Sequence, residues 1–379
     1  MTAAAHVDAR RILERVMRLP EVRPLRLFPL LLPVWGVEIQ ATIREAQPYE
    51  LFDRYLSRAV AEAGLIDASA LADFFGVEPA LVERGLRYLD TIGHLDRTGE
   101  MLRMTDLGYR SVADGCRYVV KEDRQILYFD GFAGRPLTRG HYPGAVWLDE
   151  PRLTLKGGTR FQPVAGAPWF RTDAVGELMA RPDRAQFNIP DGLERATVAQ
   201  VGSAWLPAYV VECVDRLLVF VKAIDGPDPY LGWVAEQYLA QVLADEPRPD
   251  DLGIWREWLA GKGFADVRPE RMGNGVLRAV LPGRVFGNRI AWWQLGSFEC
   301  RKQTFMQLWC DDAAVRRRGV LERGRAMVRA GGIRDAAVLA ARLSELAEQL
   351  GVEPPDGDEL LKHAREQDDA VAATVLERL

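Results

Sequence analysis

The stretch "LADFFGVEPALVERGLRYLDTIGHLDRTGEMLRMTDLGYRS", residues 71–111, decides how this chain is read. Leu71, Phe74 and Phe75 sit at helical spacing, and Gly76 then supplies a turn whose following Val77 is small and apolar. Glu78 and Pro79 open a third helix, since proline suits a first turn where its missing N–H is not needed. Its apolar positions are Leu81, Val82, Leu86, Tyr88, Leu89 and Ile92, and Gly93 stops it. His94–Asp96 and Met101–Met104 read as two short strands around Arg97–Glu100, with Gly99 in the turn. Thr105 and Asp106 cap a further helix that begins at Leu107. Upstream, Pro48 opens a first helix whose buried face is expected to hold Leu51, Phe52, Tyr55, Leu56, Val60 and Ala61. Gly64 ends it, and Asp67 or Ser69 caps the second.

Three helices, a small-residue turn and a hairpin, with "IGHL" and "MTDLG" at their ends, resemble the winged helix-turn-helix superfamily over residues 48–112. The resemblance implies a fold. It leaves function open, because such modules touch DNA, dock proteins or build dimers. The same module also resembles the dimerisation domain of small-molecule O-methyltransferases. Those enzymes need a Gly-rich strand–helix turn for the cofactor, and nothing after residue 115 supplies one; "VGSAW" is a poor match.

A chain of 379 residues has room for two or three domains, and 48% hydrophobic with 27% charged residues excludes a largely disordered one. Residues 1–23 hold five arginines and no apolar run of signal-peptide length. The apolar segment Leu25–Ile39 is too short to span a bilayer and carries Pro29 and Pro33, so it reads as a buried or partner-facing arm. The four cysteines, at 116, 213, 300 and 310, lack CxxC spacing and fit reduced thiols in the cytoplasm.

The net charge of −5 is unevenly spread, and this bears on function. Residues 48–115 carry 7 basic and 12 acidic groups, an unfavourable balance beside phosphates. The module's candidate phosphate or base contacts are Arg84 and Arg87 on its third helix, and Arg97 and Arg103 on the wing. Its acidic balance also fits docking or dimerisation. Residues 262–334 carry 15 basic and 6 acidic groups, whereas residues 335–379 carry 4 and 11. Within the basic block a helix follows the strand Thr304–Trp309 and holds Arg316, Arg317, Arg318, Arg323, Arg325 and Arg329. These arginines read either as a solvated face or as a nucleic-acid footprint.

The middle of the chain reads as β-rich. Residues 116–190 suggest strands and loops, with "RQILYFDGF" one strand, and Arg135, Arg139, His141, Tyr142 and Lys156 fall in a Gly- and Pro-rich loop region. Val210–Val211 and Leu217–Val221 suggest buried strands, and Trp233–Leu243 and Leu252–Gly261 helices. Residues 335–350 form an amphipathic helix, and 357–378 a last one. Four histidines, at 6, 94, 141 and 363, show no metal-ligand spacing, and no phosphate loop or nucleophile elbow occurs. Glu299 and Lys302 stand one residue too far apart for the E-x-K pair of metal-dependent nucleases, and a structural salt bridge is the simpler reading.

The expected fold is α+β, with 1–47 an N-terminal helix and apolar arm, 48–115 a winged helix domain, 116–334 a mixed α+β domain, and 335–379 C-terminal helices. The expected function is non-enzymatic: nucleic-acid binding as a regulator or a subunit of a DNA-handling or defence assembly. The alternative is a protein–protein adaptor or dimerising scaffold, and a methyltransferase-like or nuclease-like enzyme ranks below both. No cofactor, metal or membrane partner is expected; DNA and a protein partner or second copy are.

Overall fold

A computed structural model describes residues 8–98, 101–155, 158–222, 224–333 and 335–379. The chain mixes helix and strand and ends in helices. Its first part runs α1 (Ala9–Val16), β1 (Pro24–Gln47), α2 (Leu51–Ala61), α3 (Ala68–Phe75), α4 (Pro79–Thr91), β2 (Leu95–Thr98), β3 (Met101–Met104), α5 (Asp106–Asp114) and β4 (Arg117–Asp130). There follow β5 (Leu153–Thr154), β6 (Arg160–Pro163), α6 (Asp173–Met179), β7 (Leu193–Cys213), β8 (Leu217–Val221), α7 (Pro229–Tyr238), α8 (Ala240–Asp245) and α9 (Asp251–Gly261). The last part holds β9 (Glu270–Arg271), β10 (Leu277–Val280), β11 (Phe298–Arg301), β12 (Thr304–Trp309), α10 (Ala313–Arg329), α11 (Ala336–Leu350), α12 (Gly357–Glu366) and α13 (Ala370–Leu376). Two compact units arise, both discontinuous in sequence: residues 1–32, 148–164 and 205–379 form one, and residues 33–147 and 165–204 the other.

In the first unit the apolar start of β1 pairs in parallel with β6 at Leu30 and Leu31, and β7 pairs with β8. The helix α1 buries Ile12, Leu13 and Val16 against Leu27, Leu31, Phe161, Tyr209, Phe298 and Phe305. A second sheet has the order β11-β12-β10-β9, with β10 and β12 parallel. Its core of Trp255, Leu308, Val320, Leu343, Leu350 and Leu360 draws α9 to α12 around it. Residues Lys302 and Gln303 form the two-residue turn between β11 and β12, at φ of 44° and 68°. Both sit in the left-handed region, as the twist of a tight hairpin demands.

In the second unit the rest of β1 forms a long antiparallel ladder with β4, from Val34 opposite Asp130 to Gln47 opposite Arg117. The segment around Leu25–Ile39 is thus strand and largely buried. Pro29 and Pro33 do not break it, because the ladder bonds fall on their neighbours. The helices α2, α3 and α4 and the hairpin β2–β3 enclose Leu56, Val60, Leu71, Val82, Leu86, Leu89, Leu95 and Leu102. Asp67 caps α3 by accepting from the Ala70 amide at 3.1 Å, and Thr105 caps α5 through Gly108 at 3.1 Å. Gly76 takes φ 63° at the end of α3, the left-handed geometry that turn requires. The hairpin tip, Gly99 and Glu100, lies outside the described residues, as do Lys156 and His6.

Several expectations change. Leu51 and Tyr55 are 71% and 50% exposed, and Phe74 is 63% exposed, so the first helix buries Leu56, Ala59 and Val60 and turns a second apolar stripe outward. The span 116–190 includes the helix α6 as well as strands and loops. The span Trp233–Leu243 is two helices, α7 and α8. The last helix is also two, α12 and α13, because Asp368 adopts φ 50° and Asp369 caps a new start through the Ala372 amide. No helix among the described residues is long and apolar enough to cross a membrane.

His94 is fully buried beneath the three-helix unit. Its Nε2–H donates to the Tyr118 carbonyl at 2.7 Å, and its Nδ1 has no hydrogen-bond partner among the described residues. Burial lowers its pKa below the ordinary value of 6.5, so folding favours the neutral ring. The unfolded chain then binds the proton more tightly, and stability is full above about pH 6.5 and falls below it. Urea unfolding should therefore show a lower midpoint at about pH 5.5 than at about pH 7.5, and H94F should flatten that difference. An unchanged slope in H94F would assign the acid sensitivity elsewhere.

Candidate polyanion-binding groove

The sequence of α1, "ARRILERV", alternates apolar and basic residues at helical spacing. With Ile12, Leu13 and Val16 committed to the core, Arg11, Arg15 and Arg18 fall on the outward side. Asp8 caps the helix at the Arg10 amide and also holds the Arg10 guanidinium. Opposite stand α10, presenting Arg323, Met327 and Ala330, and α11, presenting Arg342 and Leu346. Two adjoining cavities of about 620 Å³ and about 460 Å³ lie along this line and share Arg11, Glu14 and Arg323. Seven arginines and four carboxylates line them together, so the groove is net cationic. All of these residues belong to the first unit.

Arg323 is held by neutral oxygens. Its Nη1 donates to the Leu295 carbonyl at 3.2 Å and its Nη2 to Gln349 Oε1 at 3.3 Å. Gln349 is oriented for this by donating its own amide to the Gly296 carbonyl at 3.0 Å. Burial lowers the pKa of Arg323, and the nearby Arg18 charge lowers it further, while Glu14 opposes both. No carboxylate among the described residues forms an ion pair with it. A partly desolvated guanidinium whose hydrogen bonds go to neutral oxygens can receive an incoming anion, because the anion adds countercharge. Arg11 and Arg18 are exposed and likewise have no ion pair among the described residues. Among the described residues Arg15 forms an ion pair with the exposed Asp225, at 2.9 Å, and Glu14 accepts from the Ser297 hydroxyl at 2.6 Å.

The other α10 arginines serve different partners. Arg325 bridges two buried carboxylates, Glu322 at 2.8 Å and Asp369 at 2.6 Å. Arg329 lies 3.9 Å from Asp369, and Arg318 lies 3.7 Å from Glu322. Arg317 pairs with Glu359 at 2.7 Å and donates to the Glu353 carbonyl. Arg316 donates to the Leu350 carbonyl at 3.0 Å and stacks over Trp309. Carboxylates of the acidic tail thus reach Arg317, Arg325 and Arg329 of the basic block that precedes it. Of the six, Arg323 and Arg325 line the groove.

The candidates of the three-helix module lie in the second unit, and Glu299 and Lys302 in the first. Arg84 and Arg87 are exposed on α4, with Arg87 donating to the Glu83 carbonyl at 3.4 Å. Arg97 is held by Glu83 at 2.8 Å, and Arg103 is exposed opposite Asp96 in the hairpin. Glu299 accepts from Gln294 at 2.7 Å. Lys302 instead lines a separate cavity of about 630 Å³, with Arg160 and Arg301, whose described lining contains no carboxylate. The two residues do not meet in one cleft. Sequence reading passed over Arg11 and Arg18. Their i, i+7 spacing opposite Ile12 and Val16 was the available signal. No family model, curated protein or solved structure matches this chain.

Removing Arg325 leaves Glu322 and Asp369 buried without their shared cation. R325A should cost about 3–5 kcal/mol in urea unfolding. R329A, at the exposed edge of the same network, should cost under about 1 kcal/mol. Equal costs would show that the clamp is not centred on Arg325.

Proposed function

We propose that this is a non-enzymatic nucleic-acid-binding protein of winged-helix type, and that the groove between α1 and α10 is its phosphate-gripping surface. The observation that carries the reading is Arg323: a half-buried guanidinium whose described partners are neutral, flanked by Arg11 and Arg18, which have no ion pair among the described residues. Arginine suits the task because its planar fork meets two phosphate oxygens at once. The succession α2, α3, α4 and hairpin, with Pro79 at the first turn of α4, supports the winged-helix assignment. Arg84, Arg87 and Arg103 add exposed cations there. The free thiols fit a reducing compartment such as the cytoplasm. A role as a regulator or as a subunit of a DNA-handling or defence assembly fits these features.

One observation favours an adaptor role for the module itself. Leu51, Tyr55 and Phe74 project from its exterior, and Arg97, one of its two wing arginines, is committed to Glu83. Apolar exposure of this kind serves protein contact better than phosphate contact.

Fluorescence anisotropy with labelled oligonucleotides tests the main reading. Binding is expected in the nanomolar-to-micromolar range, weakening by at least about tenfold between ~50 mM and ~200 mM salt. The triple variant R11A/R18A/R323Q should weaken binding by about tenfold or more and flatten the salt slope. No binding at low salt would remove the proposal. Binding that only R84A/R87A abolishes would move the site to α4.

A further inference from the structure

Alongside the arginines, the groove carries a feature that phosphate recognition does not use. Trp292 and Trp293 form part of the wall of the 620 Å³ cavity that also holds Arg323. Their environments differ. Trp292 stacks on Phe286 with centroids 6.4 Å apart and planes 28° from parallel, and the Arg318 guanidinium lies 5.1 Å from its ring. Gly287 leaves room for its indole, since a Cβ there would meet Trp292 Nε1 at 2.4 Å. Trp292 is therefore fixed from several sides. Trp293 is 47% exposed, and its described ring partner is Arg10, whose guanidinium lies 4.0 Å from the ring centroid. Asp8 holds Arg10 in that position. One face of the Trp293 indole is thus braced by a cation, while much of the ring stays in water.

We infer that the groove takes single-stranded nucleic acid, with an unpaired base stacked on Trp293 while its backbone runs along Arg11, Arg18 and Arg323. The inference rests on the phosphate-gripping reading above. Three points favour a single strand over a duplex. A wet indole on a cavity wall gains most from a flat π partner, and every nucleobase has one. In a duplex those faces are hidden by neighbouring base pairs, whereas an unpaired strand presents them. The cations line a concave wall, and Arg323 is recessed within it, so a flexible strand can follow them. The braced Arg10 strengthens the stack, because a guanidinium polarises the indole from behind and blocks the ring from turning away.

The test uses the full chain and four labelled probes of equal length: single-stranded DNA, single-stranded RNA, duplex DNA and an abasic strand with the same phosphates. Both base-bearing single strands are expected to bind at least about tenfold more tightly than the duplex and the abasic strand. W293A should remove at least about tenfold of that affinity while leaving abasic binding and the salt slope unchanged, and W293F should restore most of it. A difference between the DNA and RNA strands would identify which sugar the groove prefers. Equal affinity for base-bearing and abasic strands, or full affinity in W293A, overturns the single-strand inference and leaves the phosphate reading standing. Failure of every probe at low salt overturns both.

Discussion

The clamp of Arg325 on Glu322 and Asp369 settles how α10 is used. Both carboxylates are about 5% exposed, so each needs its cation, and the arrangement ties α10 to the start of α13. That bond fixes the rotation of α10 about its axis. Two residues along a helix amount to roughly 200°. Arg323 therefore points away from Arg325 around the helix, while Glu322, Arg323 and Arg325 all line the 620 Å³ cavity. A linear run of arginines is in this way divided between Arg325, committed to carboxylates, and Arg323, whose described partners are neutral.

Charge follows the same division. The basic block and the acidic tail are neighbours in sequence and neutralise each other through Arg317 with Glu359 and Arg325 with Asp369. What remains for a ligand is Arg323 of that block together with cations from elsewhere. The helix α1 contributes because its apolar residues sink into the core under Phe161, Phe298 and Phe305, which leaves Arg11 and Arg18 no option but to face outward. The groove thus exists where two amphipathic helices are each held by their other sides.

Much of the second unit was legible in sequence. The caps Asp67 and Thr105, the turn at Gly76, the proline start at Pro79 and the hairpin strands are local features, and local chemistry dictates them. What escaped depended on partners distant in sequence. Leu51, Tyr55 and Phe74 satisfy helical spacing as well as buried residues do, and only the packing of α2 and α3 on α4 turns them out. The prolines of β1 suggested interruption, since the strands β4 and β6 that flank them lie about a hundred residues away. The break between α12 and α13 is set by Asp369 answering Arg325, 44 residues earlier. The candidate site was half visible. Arg323 stood among the expected arginines, but nothing in one dimension separates it from Arg325, and Trp293 and Arg10 meet only in the folded chain.

The central claim is that the face between α1 and α10, and not the outer stripe of α10 or the helix α4, receives the polyanion. Hydrogen–deuterium exchange of the full chain, with and without a saturating single-stranded oligonucleotide, addresses this directly. Slowed exchange in Arg10–Arg18 and Ala326–Ala330, with α4 and the β2–β3 hairpin unchanged, is the expected result. Slowing confined to α4 and the hairpin would contradict the account.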